Sequence, residues 1–552
     1  MYVTFGLIMA AIILIAFQVM KGRSSAEIEQ IRSAWGNPKA KDDFHFVRIG
    51  RYAEIEKEKF HRLTDQTMED IDFYRLFKFI DRTTSRIGQQ FLYKKAIEPA
   101  DSTTHQSEEL IKLFSNNKDL RERIQVELVK LNSTDAYHIS SLLFNTFLEK
   151  PKWFSLLVIN IALMIGLSIL SFKFPILLLF LIIPISINML LHVWNKNNTF
   201  HYTQSIPQLR LLIKVSRELI KNGGILYSQS VEESILNMKP FEKKAGFIRF
   251  NEGGAVSDFT QYFFDVIKAF FLIEVFMIFN VIEELKTKRS SIITLFDYVG
   301  NIDASISIAS LRAGKLKTCQ PVFTSSGKEI VAKEIYHPLI RDCVKNNLTI
   351  SKKSILITGS NMSGKSTFLR TLIINSILAQ TIYTCFAEYY STPVLKQFSS
   401  IHIDDNLFEG KSYYFQEVSI MSSLIAEVDL PGQNLFVLDE VFKGTNTIER
   451  ISAAKAILSY LNRKDNIVIV STHDIELADM LGDEYDLYHF TETIESDELH
   501  FDHTIKRGQL TSRNAIKLLE LADYPSDIIA EARQISSLLA KPAPGRERAT
   551  NS

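Results

Sequence analysis

A glycine-rich loop carries the residues whose chemistry is easiest to assign. Between Gly359 and Ser366 the sequence reads GSNMSGKS, in which four residues separate two glycines and Lys365 follows at once. With the strand-like run SILIT before it and the helix-like run TFLRTLIINSILAQ after it, such a loop binds nucleotide phosphates at a helix N-terminus. The alternative is a glycine turn without a ligand. The predicted nucleotide contacts are Gly359, Ser360, Asn361, Met362, Ser363, Gly364, Lys365, Ser366 and Thr367.

Two further strand-like runs end in residues that suit phosphate hydrolysis. NLFVLDE ends in Asp439 and Glu440, and NIVIVSTHD ends near His473. We expect Asp439 to hold Mg²⁺ together with the hydroxyl of Ser366, and Glu440 to orient and deprotonate the attacking water. Lys365 is expected to reach the β- and γ-phosphates, and His473 to sense the γ-phosphate. The predicted cofactors are therefore ATP and Mg²⁺, and the predicted catalytic residues are Lys365, Glu440 and His473.

The spacing of apolar residues differs between the two parts of the chain and distinguishes a helical region from an α/β region. Short, branched, apolar runs alternate with longer helical patterns in the carboxyl-terminal part, which is typical of a mostly parallel sheet. Upstream, apolar residues recur every three to four positions, as in LFKFI and QLRLLIKVSRELI, which indicates helices. The sequence therefore predicts a helical core in two halves, followed by an α/β domain.

Three apolar stretches have the length that a bilayer requires. They are Val3–Met20, Trp153–Ser171 and Ile176–Trp194, and the last two form a helical hairpin with tryptophans at its outer ends. A cleaved signal peptide is the alternative for the first stretch, and a buried pair of core helices is the alternative for the hairpin. A fourth run, Tyr262–Ile282, contains three charged residues, and we interpret it as a buried helix of a soluble bundle.

The positive charges give an orientation. Lys152 and Lys196 flank the outer ends of the hairpin, whereas its tight turn contains only Lys173. Because positive charge concentrates on the cytoplasmic side, both hairpin ends are expected in the cytoplasm, and Lys21 and Arg23 give the same side after the first stretch. We therefore predict a multi-pass protein of the inner, cytoplasmic membrane, with its α/β domain in the cytoplasm.

Together, these observations predict the domain organisation of a membrane-anchored protein of the α plus α/β class. Its parts are an N-terminal transmembrane helix (1–23), a juxtamembrane linker (24–60), the first half of the helical core (61–150), the transmembrane hairpin (151–195), the second half of the core (196–317), an ATPase domain with carboxyl-terminal dimerisation helices (318–540) and a disordered tail (541–552).

Composition gives no overall support to a nucleic-acid partner, a disulfide framework or a zinc site, although a local basic patch remains possible. Lys plus Arg and Asp plus Glu both number 63, so the formal net charge is zero and no overall basic character indicates a nucleic-acid partner. The cysteines are Cys319, Cys343 and Cys385, an odd number without paired spacing. They suit a reducing compartment better than a disulfide framework or a zinc site.

The motifs resemble those of the MutS proteins of DNA mismatch repair, which carry an ABC-class ATPase. GSNMSGKST keeps Asn361 and Met362 of the family's GPNMGGKST loop, and FVLDEVFKGTNTIE is similar to a second family motif. DDNLFEGKSYYFQEV resembles the family segment whose serine contacts the nucleotide of a partner subunit, which implies that Ser412 acts in trans. Residues 507–532 resemble the closing helices that help the ATPases to dimerise. The resemblance therefore implies a homodimer.

The departures from that family are equally informative. Ser360 and Ser363 replace the family's proline and glycine in the loop. The region where the family places its mismatch-reading domain is here a membrane segment and a linker, and the long DNA-clamp arms are cut short by the hairpin. The resemblance therefore implies nucleotide switching more strongly than mismatch recognition.

Four functions remain open at this point. The first is an ATPase that dimerises head to tail around ATP and couples nucleotide state to its helical core at the cytoplasmic membrane face, acting on an unidentified protein partner. The second is a DNA mismatch repair protein that binds mismatched DNA in an ATP-dependent way. The third is an ABC transporter subunit, although LSGGQ does not precede LFVLDE. The fourth is an inactive ATPase that serves as a scaffold.

Overall fold

The computed structural model divides the chain into two compact units, which we describe separately. The helical unit comprises Met1–Phe60, Tyr74–Glu98 and Thr104–Leu316, and the α/β unit comprises His61–Phe73, Pro99–Thr103 and Lys317–Ser552. The structure describes residues 26–39, 44–55, 59–101, 107–144, 148–152, 154–246, 270–325, 327–360, 362–402, 413–442, 446–495, 498–509, 516, 519–520 and 524–539. The predicted first membrane helix and the predicted disordered tail lie outside these residues.

The described elements are numbered here in chain order. The helices are α1 Phe46–Gly50, α2 Asp65–Asp70, α3 Phe73–Ile80, α4 Arg86–Ile97, α5 Glu108–Asn116, α6 Lys118–Val129, α7 Ser141–Phe144, α8 Phe154–Ser171, α9 Leu177–Phe180, α10 Ile182–Lys221, α11 Gln229–Asn237, α12 Lys239–Ala245, α13 Ile273–Leu285, α14 Arg289–Arg312, α15 Lys365–Ile382, α16 Tyr413–Glu427, α17 Thr447–Leu461, α18 Ile475–Leu481 and α19 Ser526–Leu539. The strands are β1 Val322–Phe323, β2 Glu329–Ile335, β3 Asn346–Ser351, β4 Ser354–Thr358, β5 Tyr389–Thr392, β6 Lys396–Ser400, β7 Asn434–Asp439, β8 Ile467–Thr472, β9 Tyr485–His489, β10 Glu492–Glu495, β11 Glu498–Phe501 and β12 Lys506–Arg507.

A six-stranded sheet forms the centre of the α/β unit. Its strand order is β12-β9-β4-β8-β7-β6, and all neighbours are parallel except β12, which runs antiparallel to β9. Every residue of β4 and β8 is buried, as expected for parallel strands that are covered on both faces. The predicted mostly parallel sheet is therefore confirmed. A second, four-stranded sheet has the order β1-β5-β2-β3.

A segment from the amino-terminal half of the chain covers the β6 edge of this sheet. Residues 61–73 belong to the α/β unit, whereas the sequence analysis placed them in the helical core. The carboxylate of Asp70 accepts hydrogen bonds from Ser399 Oγ at 2.6 Å and from the backbone N–H groups of Ile401 and His402. Burial raises the pKa of this carboxyl. Three bonds from strand-edge groups compensate its desolvation, and they fix the segment on the edge strand.

The helical unit is organised around α14. The carboxyl-terminal half of this helix, from Val299 to Leu311, is almost entirely buried. Asp303 on this helix accepts hydrogen bonds from the backbone N–H groups of Thr84 and Ser85 and from Ser85 Oγ, at 2.6 to 2.8 Å. Ser85 in turn caps the N-terminus of α4 through the backbone N–H of Gly88. Burial raises the pKa of Asp303 to about 6. This buried carboxylate therefore joins two helices that lie far apart in the sequence.

Among the residues that the structure describes, three helical stretches are long and apolar enough to cross a membrane. Phe154–Ser171 and Leu177–Trp194 are each only 11% buried, and they form the predicted hairpin. The third is α14, in which 72% of the most apolar stretch of 18 residues is buried, so its apolar character is explained by packing. The second stretch runs into α10, a helix of 40 residues that is about 60 Å long.

The contact between α4 and Asp303 yields a stability prediction. A Cβ added at Gly88 would lie 2.1 Å from Oδ2 of Asp303, so Gly88→Ala must displace the buried carboxylate from its donors. We expect the free energy of unfolding to fall by about 1–3 kcal/mol, as for other overpacked sites. The measurement is thermal unfolding in detergent, followed by circular dichroism.

Gly166→Ala is the matched control for this prediction. Gly166 also lies within a helix, but nothing comes within 4 Å of its added Cβ. Alanine there should leave the melting temperature unchanged or slightly raised. Equal melting temperatures for the two variants would contradict the assigned role of Asp303.

Candidate nucleotide-binding site

The register of three parallel strands brings the predicted site residues together. Thr358, the last residue of β4, pairs with Thr472 of β8, and Asp439, the last residue of β7, pairs with Ser471 of β8. The segments that follow these strands therefore emerge at the same edge of the sheet. That edge is where open α/β sheets bind ligands.

The loop after β4 has a backbone that requires glycine at both ends. Gly359 and Gly364 have φ values of 151° and 109°, in the region that other residues rarely adopt. A Cβ at Gly359 would also lie 2.9 Å from the carbonyl oxygen of Phe490. Gly364 immediately precedes α15, and no described side chain caps that helix. The first N–H groups of α15 are thus available to an anion.

Lys365 is folded back onto this loop. Its Nζ donates hydrogen bonds to the carbonyl oxygens of Gly359 at 2.8 Å and Ser360 at 2.9 Å, and it lies 3.4 Å from Nε2 of His473. The side chain is almost completely buried. A bound phosphate would offer the ammonium group charged acceptors in place of neutral carbonyls, which form stronger hydrogen bonds.

The two predicted metal ligands touch each other. Ser366 Oγ donates to Oδ2 of Asp439 at 2.5 Å, and Ser471 Oγ donates to the other carboxylate oxygen. A hydroxyl and one carboxylate, completed by phosphate oxygens and water, form the oxygen set that Mg²⁺ prefers. Within the described residues, no group of three or more His, Cys, Asp or Glu could hold a metal by itself. The residues present therefore fit Mg²⁺ bound together with a nucleotide.

Glu440 and His473 form a close pair beside the loop. Oε1 of Glu440 lies 2.6 Å from Nε2 of His473. Glu440 has a φ of 56°, a strained geometry for a residue with a side chain, and its backbone N–H is held by the carbonyl oxygen of Ser471. The neighbouring Asp474 is held by Arg450 in a two-bond ion pair at 2.7 and 3.0 Å, which raises the pKa of Arg450. The turns that carry Glu440 and His473 are thus fixed on both sides.

A cavity that the sequence did not indicate adjoins the loop. It has a volume of about 380 Å³, within the range of small-molecule sites, and it reaches from Lys365 and Thr367 to Val344 and His503. Nδ1 of His503 lies 3.1 Å from the carbonyl oxygen of Ser363. Met362, which is 80% exposed, also lines it. His503 follows the β10–β11 hairpin at a position that no motif marks, so sequence reasoning missed it.

The structure accounts for both serines that replace family residues in the loop. Ser360 Oγ donates to Oε2 of Glu492 on β10 at 2.7 Å, and Ser363 Oγ donates to the carbonyl oxygen of Ser360 at 2.8 Å. Glu492 is buried, and this bond joins the loop to the β10–β11 hairpin. Asn361, Ser412 and the predicted motif residues Gly444 and Thr445 lie outside the described residues.

Comparisons with known proteins identify the same region. Residues 355–540 match the model of MutS domain V. This part of the chain is therefore a domain of the MutS domain V family. The chain is 30% identical over 274 residues to the DNA mismatch repair protein MutS of Pseudothermotoga lettingae, covering 47% of this chain and 33% of that protein. The MutS protein of Petrotoga mobilis is 33% identical over 233 residues, covering 40% of this chain and 28% of that protein. The alignments thus span about a third of these relatives' length.

Replacing Glu440 tests its predicted role as the base. Glu440→Gln keeps the size and polarity of the side chain but cannot accept the proton of water. We expect ATP turnover to fall about 10²- to 10⁴-fold while ATP binding is retained. The measurements are phosphate release and binding of a fluorescent ATP analogue. Glu484→Gln, which alters a carboxylate bound to Lys455 and Ser459, is the control, and equal turnover in the two variants would refute the assignment.

Replacing Ser360 tests the contact between the loop and the hairpin. Ser360→Ala removes one hydrogen bond to Glu492, worth about 1 kcal/mol, so the KM for ATP should rise roughly fivefold. The rate kcat should stay within about twofold, because the reacting groups are untouched. Ser360→Thr keeps the hydroxyl and should retain the original KM. A steady-state titration of ATP decides this, and an unchanged KM in Ser360→Ala would show that the bond does not support the loop.

Proposed function

We propose that the chain is a membrane-anchored ATPase that binds and hydrolyses ATP in a head-to-tail dimer. One observation carries the proposal: the loop lysine, the Ser366–Asp439 pair and the Glu440–His473 pair meet at one edge of the sheet. The named relatives are DNA mismatch repair MutS proteins. The resemblance to that family, whose members carry an ABC-class ATPase, supports the choice of ATP.

Each residue of the site has a separate role in the proposed hydrolysis of ATP. Lys365 turns from the loop carbonyls to the β- and γ-phosphates and offsets their charge. Mg²⁺, held by Ser366 and Asp439, supplies further charge neutralisation when bound. Glu440 orients the attacking water and takes its proton. His473, within hydrogen-bond distance of both Glu440 and Lys365, holds the carboxylate toward the γ-phosphate position.

Exposed apolar side chains near the site support a second copy as the partner. Met362 in the loop and Ile448 at the start of α17 are each 80% exposed, and Phe415 at the start of α16 is 54% exposed. Apolar groups of this size beside a polar site are typical of an interface. The family resemblance places Ser412, just before α16, against the nucleotide of the partner copy.

The exposed faces of the hairpin support its insertion into a membrane. The side chains of Leu156, Ile159 and Leu190 are 59%, 63% and 72% exposed, on helices without a charged residue in the span. Lipid is the solvent that such a surface suits. We place the hairpin in the inner, cytoplasmic membrane with the ATPase domain in the cytoplasm, on the charge distribution of the sequence.

Two features of the chain could connect a change at the nucleotide site with the helical core. Residues 61–73 are fixed on β6 by Asp70 and run directly into α3 of the helical unit. Within that unit, α10 continues without interruption from the hairpin to Lys221. ATP can shift such a system only if it binds one arrangement more tightly than the other. Pairing of two copies around ATP provides that difference.

The names of the relatives favour a second candidate, ATP-dependent binding of mismatched DNA. The neutral net charge opposes it, because phosphate contacts require clustered Lys and Arg. The alignment covers about a third of the length of these relatives. The regions of those proteins that lie outside the alignment therefore support no inference about this chain.

One set of measurements separates these functions. The full chain in lipid nanodiscs should hydrolyse ATP, and Glu440→Gln with ATP should form a dimer detectable by light scattering, whereas Lys365→Ala should do neither. Homoduplex and mismatched DNA should leave the ATPase rate unchanged at 50 and 150 mM salt. Stimulation by mismatched DNA would favour the repair function, and a monomer saturated with ATP would overturn the dimer.

A further inference from the structure

Two asparagines in the apolar hairpin form an unusual polar cluster. Nδ2 of Asn160 on α8 donates to Oδ1 of Asn188 on α10 at 2.7 Å and to the carbonyl oxygen of Pro184. Nδ2 of Asn188 donates to the backbone carbonyl oxygen of Phe270 at 2.6 Å. Asn188 is completely buried. A chain segment from outside the hairpin therefore reaches a polar group within it.

The position of Asn188 along its helix sets the depth of this contact. Asn188 lies six residues before Trp194, and Asn160 lies six residues after Phe154. At 1.5 Å per residue, both asparagines are about 9 Å from the outer ends of the hairpin. If those ends lie at the membrane interface, the carbonyl of Phe270 lies about a third of the way into a hydrocarbon core of about 30 Å.

The residues after Phe270 pack along the same third of the hairpin. Leu272, Val275 and Phe279 form a buried cluster with Leu157 of α8, and Leu191 and Trp194 of α10 pack against it. The ring of Phe154 lies 5.0 Å from that of Phe276 and 5.1 Å from that of Phe279. Since Phe270 lies at the level of Asn188 and Phe276 at the level of Phe154, α13 runs outward from the deeper level.

We propose that residues 270–276 are a third membrane-inserted element, which lies beside the hairpin and whose partner is the acyl chains of the lipid. The inference rests on the proposed insertion of the hairpin. Phe270 and Phe271, both 37% exposed, supply the surface toward the lipid. The sequence analysis interpreted this run as a buried helix of a soluble bundle.

The backbone at this point explains the asparagine. Leu272 has a φ of 49°, so the helical geometry is interrupted before α13 begins. Backbone groups freed by such a break are tolerated at membrane depth only where another group satisfies them. Asn188 satisfies the carbonyl of Phe270, and this offsets the cost of placing an amide in an apolar span.

Depth-dependent quenching tests the segment directly. Phe271→Cys and Leu190→Cys would each carry a bimane label in protein reconstituted into phosphatidylcholine vesicles that contain lipids spin-labelled on the acyl chain. Leu190 lies within 3 Å of the level of Asn188, and it serves as the reference for the hairpin. Tyr227→Cys, a half-exposed position between the carboxyl-terminal end of α10 and the start of α11, is the negative control. The unsubstituted chain gives the background from the native cysteines.

The outcomes separate this inference from the insertion of the hairpin. Quenching of Phe271 and Leu190 to a similar extent, with little quenching at Tyr227, is the expected result. Quenching at Leu190 while Phe271 behaves like Tyr227 would overturn the insertion of residues 270–276 and leave the hairpin in place. Absence of quenching at both Phe271 and Leu190 would overturn the insertion of the hairpin itself, and that of residues 270–276 with it.

A second variant tests the role of the asparagine. Asn188→Leu removes the donor to Phe270 and should reduce quenching of the Phe271 label severalfold, while the Leu190 label keeps its signal. Asn198→Leu is the control, because Asn198 is exposed and bonds only within α10, to the carbonyl of Trp194. Unchanged quenching at Phe271 in Asn188→Leu would show that the asparagine does not hold the segment at that depth.

Discussion

Parallel pairing of β4, β8 and β7 is the constraint on which the candidate site depends. β8 lies between the other two strands, and its register sets Thr472 opposite Thr358 and Ser471 opposite Asp439. Because side chains alternate along a strand, a shift of one residue would turn Asp439 to the opposite face. Both β4 and β8 are buried on both faces, as is usual for the central strands of a parallel sheet.

The polar groups of the site satisfy one another in this arrangement. Lys365 is held by two carbonyl oxygens, Ser366 by Asp439, and Glu440 by His473. Buried polar groups require such partners. In the proposed function, a nucleotide with Mg²⁺ would replace existing bonds, so that its binding would be coupled to a rearrangement of the loop and of the strand ends. That coupling is the physical basis of the nucleotide-dependent change that we propose.

Local sequence patterns predicted many of the strands and helices of the α/β unit, but not the long-range hydrogen bonds that join them. The strand-like runs and the glycine-rich loop depend on residues that are close in sequence, and their placement was recognisable without a structure. The bond between Ser360 and Glu492 and the contact between His503 and Ser363 join positions 132 and 140 residues apart. The hydrogen bond between Asp70 and Ser399 spans 329 residues. Such pairs have no periodicity or spacing that a single sequence could reveal.

The sequence by itself indicated the resemblance to MutS proteins and the strand-and-helix alternation, and it predicted Lys365, Ser366, Asp439, Glu440 and His473 as site residues, because each of these depends on local order along the chain. Only the tertiary structure decided that residues 61–73 complete the edge of the α/β sheet, that α14 is a core helix despite its apolar length, and that Asn188 bonds the carbonyl of Phe270. The physical reason is that burial and hydrogen-bond partners are properties of the folded chain: the same apolar helix suits a protein core or a lipid bilayer until its neighbours are known.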